Sequence, residues 1–186
     1  RVQPPLRPPV HLVLDSLQDA RMDGPTPVLT MLKNLSDTPL VEQVEQLVQT
    51  RLDPQAKKRL RDSAREYYKT LHPELRQLLE DRGAALPIHH RKPLDYAHLF
   101  AEEDINAASN IAMVQQVVHG HINRVWIRFR QLRPDPTATD VLKTTRVIDD
   151  QFLAWYHQAG TPPGATRSLE EAERAAIRVL ERLFPN

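Results

Sequence analysis

Apolar residues recur three and four apart along most of the chain, which predicts a series of amphipathic helices divided by prolines. Pro25 to Leu35 reads as a short helix with Val28, Leu29, Met31, Leu32 and Leu35 on its apolar side. Asp37 or Thr38 caps the next, which buries Leu40, Val44, Leu47 and Val48. Asp53-Pro54 is an N-cap followed by proline in the first turn. The helix it opens runs to about Leu71, with Leu60, Ala64, Tyr67 and Tyr68 inward and Lys57, Lys58, Arg59, Arg61 and Arg65 outward. That basic run suits either a solvated face or a phosphate contact. Pro73-Glu74 starts a short helix, and Gly83 suits its C-terminal cap. A helix from about Gln116 to Leu132 buries Val118, Ile122, Val125, Phe129 and Leu132, with His119, Asn123, Trp126 and Arg130 on its other side. Arg133-Pro-Asp-Pro136 breaks it. Thr139 or Asp140 caps a helix that uses Val141, Leu142, Thr145, Ile148, Phe152 and Trp155. Ser168-Leu-Glu-Glu171 is a capping box. It opens a last helix through Leu169, Ala172, Ala176, Val179, Leu180 and Leu183.

Strand makes sense in two places, Leu86 to His90 and Ile111 to Val114. Pro87 suits a strand's start, and Pro93 ends pairing soon after. The expected class is mainly α with a small inserted β element, an α+β arrangement. Its expected divisions are a proline-rich linker over 1–10, a helical region over 11–85, a core over 86–132 and a helical region over 133–186 packed on that core. The chain begins at Arg1 rather than Met, so a fragment or processed product is expected. A formal net charge of +1 does not announce a nucleic-acid binder, so any basic surface must be local. The absence of cysteine removes thiolate metal sites and leaves nitrogen and oxygen donors. No apolar run reaches the length of a membrane span.

The candidate chemistry lies at His89-His90 and downstream of it. Neighbouring residues at a strand end face opposite sides of the sheet, so one imidazole can bind a metal while the other faces a water or a substrate. His119 and Asn123 are four apart and share a helix face, so they can close on the same ion. His11, His72 and His157 read as ordinary surface or core histidines. His121, two along from His119, points away from it.

Taken together, His89-His90-Arg91-Lys92-Pro93-Leu94, Asn110-Ile111-Ala112-Met113-Val114 and His119-x-x-x-Asn123 resemble the HNH, or His-Me finger, nuclease motif. The likeness is to the version in nuclease bacteriocins and in HNH/endonuclease VII-like polymorphic toxins, and it covers roughly residues 86 to 128. It implies a ββα-metal element in which His89, His119 and Asn123 are ligands to one divalent ion. Mg²⁺ is the expected ion, with Zn²⁺, Ni²⁺ or Mn²⁺ as alternatives. It implies that His90 is the general base and that Asn110 braces the loop and orients that base. Asn123 stands where many relatives carry a second histidine. The insert between His90 and Asn110 is long for the family, and it makes His98, Glu102, Asp104 and His121 rival donors.

The implied reaction is phosphodiester hydrolysis, with DNA the favoured substrate and RNA the alternative. Arg91, Lys92, Arg124 and Arg128 are candidates to grip flanking phosphates. The resemblance further implies the toxin domain of an antibacterial effector, secreted or delivered into a target-cell cytoplasm and neutralised by a cognate immunity protein. Two other readings compete. One is a catalytically degenerate module that binds nucleic acid or protein. The other is a helical interaction domain whose histidines hold a structural metal.

Overall fold

The structure is a computed structural model in which residues 51–185 are described. The linker over 1–10, His11 and the helices expected over 25–35 and from Thr38 to Val48 lie outside the described residues. The rest is mainly helical with one small two-stranded antiparallel sheet.

Helix α1 (Pro54–Leu71) begins where its cap residues dictate, with the Asp53 carboxylate accepting from the Ala56 amide at 2.7 Å and Pro54 in the first turn. Ala64 and Tyr68 are fully buried. Tyr67, expected inward, is 42% exposed. Adjacent helical positions diverge by about 100°, and only Tyr68 meets the sheet. A 3-10 turn (Pro73–Leu75) leads into α2 (Arg76–Arg82), which Gly83 ends at φ 49°. That left-handed conformation favours glycine.

Strands β1 (Ile88–His90) and β2 (Ile111–Met113) pair with Ile88 opposite Met113, His89 opposite Ala112 and His90 opposite Ile111. Opposed residues of an antiparallel pair share a face, so Ile88, His90, Ile111 and Met113 form one side and His89 and Ala112 the other. The first side belongs to a cluster with Ala64, Tyr68, Leu79 and Leu86 from α1, α2 and their connection. Ala112 and Val114 belong to the larger core built by the three helices that follow. The sheet therefore divides two apolar clusters, and both of its faces are covered.

Those helices are α3 (Gln116–Leu132), α4 (Ala138–Phe152) and α5 (Leu169–Leu183). Helix α3 buries the five residues its periodicity predicts, and Trp126 and His121 besides. The cap of α4 is Thr137, not Thr139 or Asp140. Reciprocal capping needs an acid three residues on: Thr137 has Asp140, whereas Thr139 is followed by Leu142 and Asp140 by Lys143. Leu142, expected inside, is 37% exposed, and Val147 takes its place in the core. Ser168 and Glu171 cap α5 reciprocally as expected, while Leu183 turns outward. No helix among the described residues is long and apolar enough to cross a membrane.

Candidate active site

A cleft of about 490 Å³ opens between α1 and α3, with β1 along its floor. Helix periodicity supplies the walls: His119, Asn123 and Trp126 line up along α3, and Lys57, Arg61 and Arg65 along α1. The floor presents His89 and His90.

Strand alternation gives the two histidines different surroundings. His89 faces α3, with its ring centroid 5.8 Å from that of His119 and 5.6 Å from that of Tyr156. It is 3% exposed, and its Nε2 is buried without a hydrogen-bond partner among the described residues. Burial, followed by repulsion from His119, His90 and Arg91, holds its pKa well below the usual imidazole range. Burial also lowers His119. The Asn123 amide lies 3.3 Å from His119 Nδ1. His119 and Asn123 are thus brought beside His89 in one cleft, giving two neutral imidazoles and a side-chain amide. An orphaned buried nitrogen is costly unless something binds it, and this donor set fits a divalent ion with nitrogen and oxygen preference. No group of three or more His, Cys, Asp or Glu side chains that could hold a metal occurs among the described residues; the set here depends on the amide of Asn123.

His90 faces α1. Its Nε2 is 2.7 Å from Asn106 Oδ1. The Asn106 amide donates from Nδ2 to the Leu60 carbonyl at 3.1 Å, so its oxygen is the atom left for His90. His90 Nε2 must then carry the proton, and Nδ1 keeps the free lone pair. Burial pushes the His90 pKa down to about 4, helped by repulsion from Arg61 and His119 and opposed by the Asn106 hydrogen bond.

Asn110 does not orient His90. It ends the 3-10 turn (Ala108–Asn110) that leads into β2, and its side chain is used up by the connection between the strands. Its Oδ1 accepts from the Lys92 amide at 2.8 Å, and its Nδ2 donates to the carbonyls of Ile105 at 2.7 Å and Lys92 at 3.3 Å. Asn110 is buried and ties both ends of the connection between the strands together. The contact to His90 belongs to Asn106, whose backbone N–H donates to Asp104 Oδ1 at 2.9 Å. Nothing in the spacing of the sequence singles Asn106 out.

The four cations expected to grip phosphate are engaged elsewhere. Arg91 binds Asp149 and the Ser109 carbonyl. Lys92 pairs with Glu103 and lies over the Phe100 ring. Arg124 pairs with Glu173 at 2.9 Å, and Arg128 with Glu181 at 2.7 Å. None of the four lines the cleft. Each is close to a carboxylate on a neighbouring element, which a one-dimensional reading of charge does not reveal. The cations that do line it are on α1. Arg65 donates to the carbonyls of Leu79, Gly83 and Leu86, and Lys57 pairs with Asp95. The rivals His98, Glu102, Asp104 and His121 are also outside the cleft lining. His121 is at the α3–α5 contact against Glu173.

Behind the site, Tyr156 donates to Asp149 Oδ1 at 2.8 Å while Arg91 binds Oδ2. This network fixes Tyr156 against His89 and anchors the end of β1 to α4. Burial and the neighbouring Asp149 raise the Tyr156 pKa, so its hydroxyl stays protonated. The sequence carried a signal for Asp149: it is four residues after Thr145, on the face of α4 that must be buried. A carboxylate there demands a cationic or hydrogen-bonded partner.

Comparison of the chain with family models, curated proteins and solved structures returned no match.

Proposed function

We propose that this chain is a metal-dependent endonuclease of the HNH, ββα-metal type that hydrolyses phosphodiester bonds, with DNA as the favoured substrate. The observation that carries the proposal is the pair His89 and His90. They are consecutive, buried and neutral at pH 7, they face opposite sides of one strand, and they open on the same cleft. The order β1, β2, α3, with His119 and Asn123 on α3, adds support.

His89, His119 and Asn123 would hold the divalent ion, which when bound supplies charge neutralisation at a phosphate oxygen and at the departing alkoxide. His90 Nδ1 takes the proton of the attacking water as its oxygen bonds to phosphorus and the ester P–O bond breaks. Asn106 holds the ring in the tautomer that leaves Nδ1 free. A pKa of about 4 keeps His90 unprotonated at neutral pH and also makes it a weak acceptor. A phosphate anion in the cleft would stabilise the imidazolium and lift that value toward the working range. Asn110 keeps the connection between the strands closed beneath the site. The antibacterial toxin role, delivery into a target cell and a cognate immunity protein follow from the resemblance alone.

The test is cleavage of supercoiled plasmid with Mg²⁺, Mn²⁺, Ni²⁺ or Zn²⁺ and with EDTA, wild type beside His90→Ala. Metal-dependent nicking that drops at least about 100-fold in the variant is the expected result. Full activity of the variant removes His90 as the base. Absence of cleavage of both DNA and RNA with every ion favours a binding module or a structural metal site.

A further inference from the structure

Helix α1 places Lys57, Arg61 and Arg65 at successive i, i+4 positions along one wall of the cleft. The stripe is about 12 Å long at 1.5 Å per residue. One strand of a duplex sets about three phosphates along that length, at about 3.4 Å of axis each. The outer two cations have partners within the protein: Arg65 holds the carbonyls at the end of α2 and before β1, and Lys57 holds Asp95. Arg61, between them, is exposed and makes no hydrogen bond or ion pair among the described residues. It is also close enough to His90 to depress its pKa by repulsion. Among the described residues Arg61 lacks the carboxylate partner that Arg91, Arg124 and Arg128 all have, and its charge is felt at His90.

We propose that the α1 stripe is the phosphate-binding wall of the cleft, and that Arg61 makes the direct contact to a backbone phosphate of a polynucleotide beside His90. This rests on the nuclease reading of the site and assigns it a substrate-binding residue outside the 86–128 motif. Its neighbours fix the geometry. Arg65 and Lys57 pin α1 to the segment between α2 and β1 and to the Leu94–Phe100 turn, and the Leu60 carbonyl that orients Asn106 belongs to the residue next to Arg61. Phosphate binding and the orientation of His90 therefore depend on one turn of α1. The guanidinium fork suits a phosphate's two oxygens better than an ammonium does.

The test separates binding from cleavage. Fluorescence anisotropy with a labelled DNA duplex, in EDTA, is measured over a range of salt for wild type, Arg61→Gln, Arg61→Lys and Arg124→Gln. Because Arg61 is exposed, its variants should melt with the wild type, which circular dichroism checks. Losing one phosphate contact should flatten the slope of log K against log salt by about 0.9 and weaken binding about 8-fold at 0.1 M salt. Arg61→Lys should keep the slope with reduced affinity, and Arg124→Gln should match wild type. Wild-type binding with an unchanged slope in Arg61→Gln overturns the assignment and leaves the nuclease reading standing. No binding of duplex, single strand or RNA by the wild type overturns both.

Discussion

Lowering the pH from neutrality to about 5 without metal should remove about 2 kcal/mol of folding stability through His90 alone. The imidazole has a pKa of 6.5 when free of the fold and about 4 within it. Above 6.5 both states are neutral and the fold is at full stability. As pH falls from 6.5 toward 4, the unfolded chain takes up a proton that the folded site refuses, so stability is lost across that window. Below about 4 both states are protonated and the loss from this residue is complete. At pH 5 the unfolded residue is almost fully charged and the folded one almost fully neutral, and the linkage integral is about 2 kcal/mol. His89, whose pKa burial also holds well below the usual imidazole range, acts in the same direction. The assay is urea unfolding in EDTA at about pH 7.5 and 5, comparing wild type with His90→Gln. Glutamine retains an N–H with similar reach toward Asn106. Carboxylates common to both proteins cancel in the comparison. The acid-induced fall in stability should be smaller in the variant by about 2 kcal/mol, a difference of about 1 M in midpoint at m of about 2 kcal/mol/M. Equal losses in the two proteins would refute the assigned environment of His90.

Two further predictions concern the supports of the site. Asp149→Ala strands the Arg91 guanidinium and the Tyr156 hydroxyl together, and should cost about 2 to 4 kcal/mol, the more so because Asp149 is only 12% exposed. Thermal unfolding should fall by roughly 5 to 15 °C, and an unchanged midpoint would sink the network. His89→Leu removes a buried nitrogen that has no partner among the described residues, so in EDTA the variant should melt at or above the wild-type temperature. Added Zn²⁺ or Mn²⁺ should raise the melting temperature of the wild type by mass action but not that of the variant. An equal rise in both would place the ion elsewhere.

Much of the architecture was legible because helices and caps are local. Asp53-Pro54, Ser168 with Glu171, and the 3.6-residue period of α3 name their elements without reference to the rest of the chain. The errors are local competitions that tertiary contact resolves. Tyr67 and Tyr68 are both apolar enough to be buried, and the sheet selects Tyr68. Thr137, Thr139 and Asp140 are all capping types, and only Thr137 has its acid three residues on. His89, His90, His119 and Asn123 could be assembled from the sequence because strand and helix periodicities set which way they face.

Local sequence is enough to specify the helical stretches, the short strands and the histidine and asparagine side chains that line one cleft. Which charges are spent and which remain available is settled by long-range packing. Arg91 finds Asp149 across 58 residues, Arg124 finds Glu173 across 49, and His90 finds Asn106 across 16. Such pairings depend on distances between separately folded elements, and every charge along the sequence has several equally plausible partners. Packing α4 and α5 against α3 and the end of β1 neutralised the cations nearest the motif. It left Arg61, on a helix well outside the motif, on the cleft wall beside His90 with no partner among the described residues.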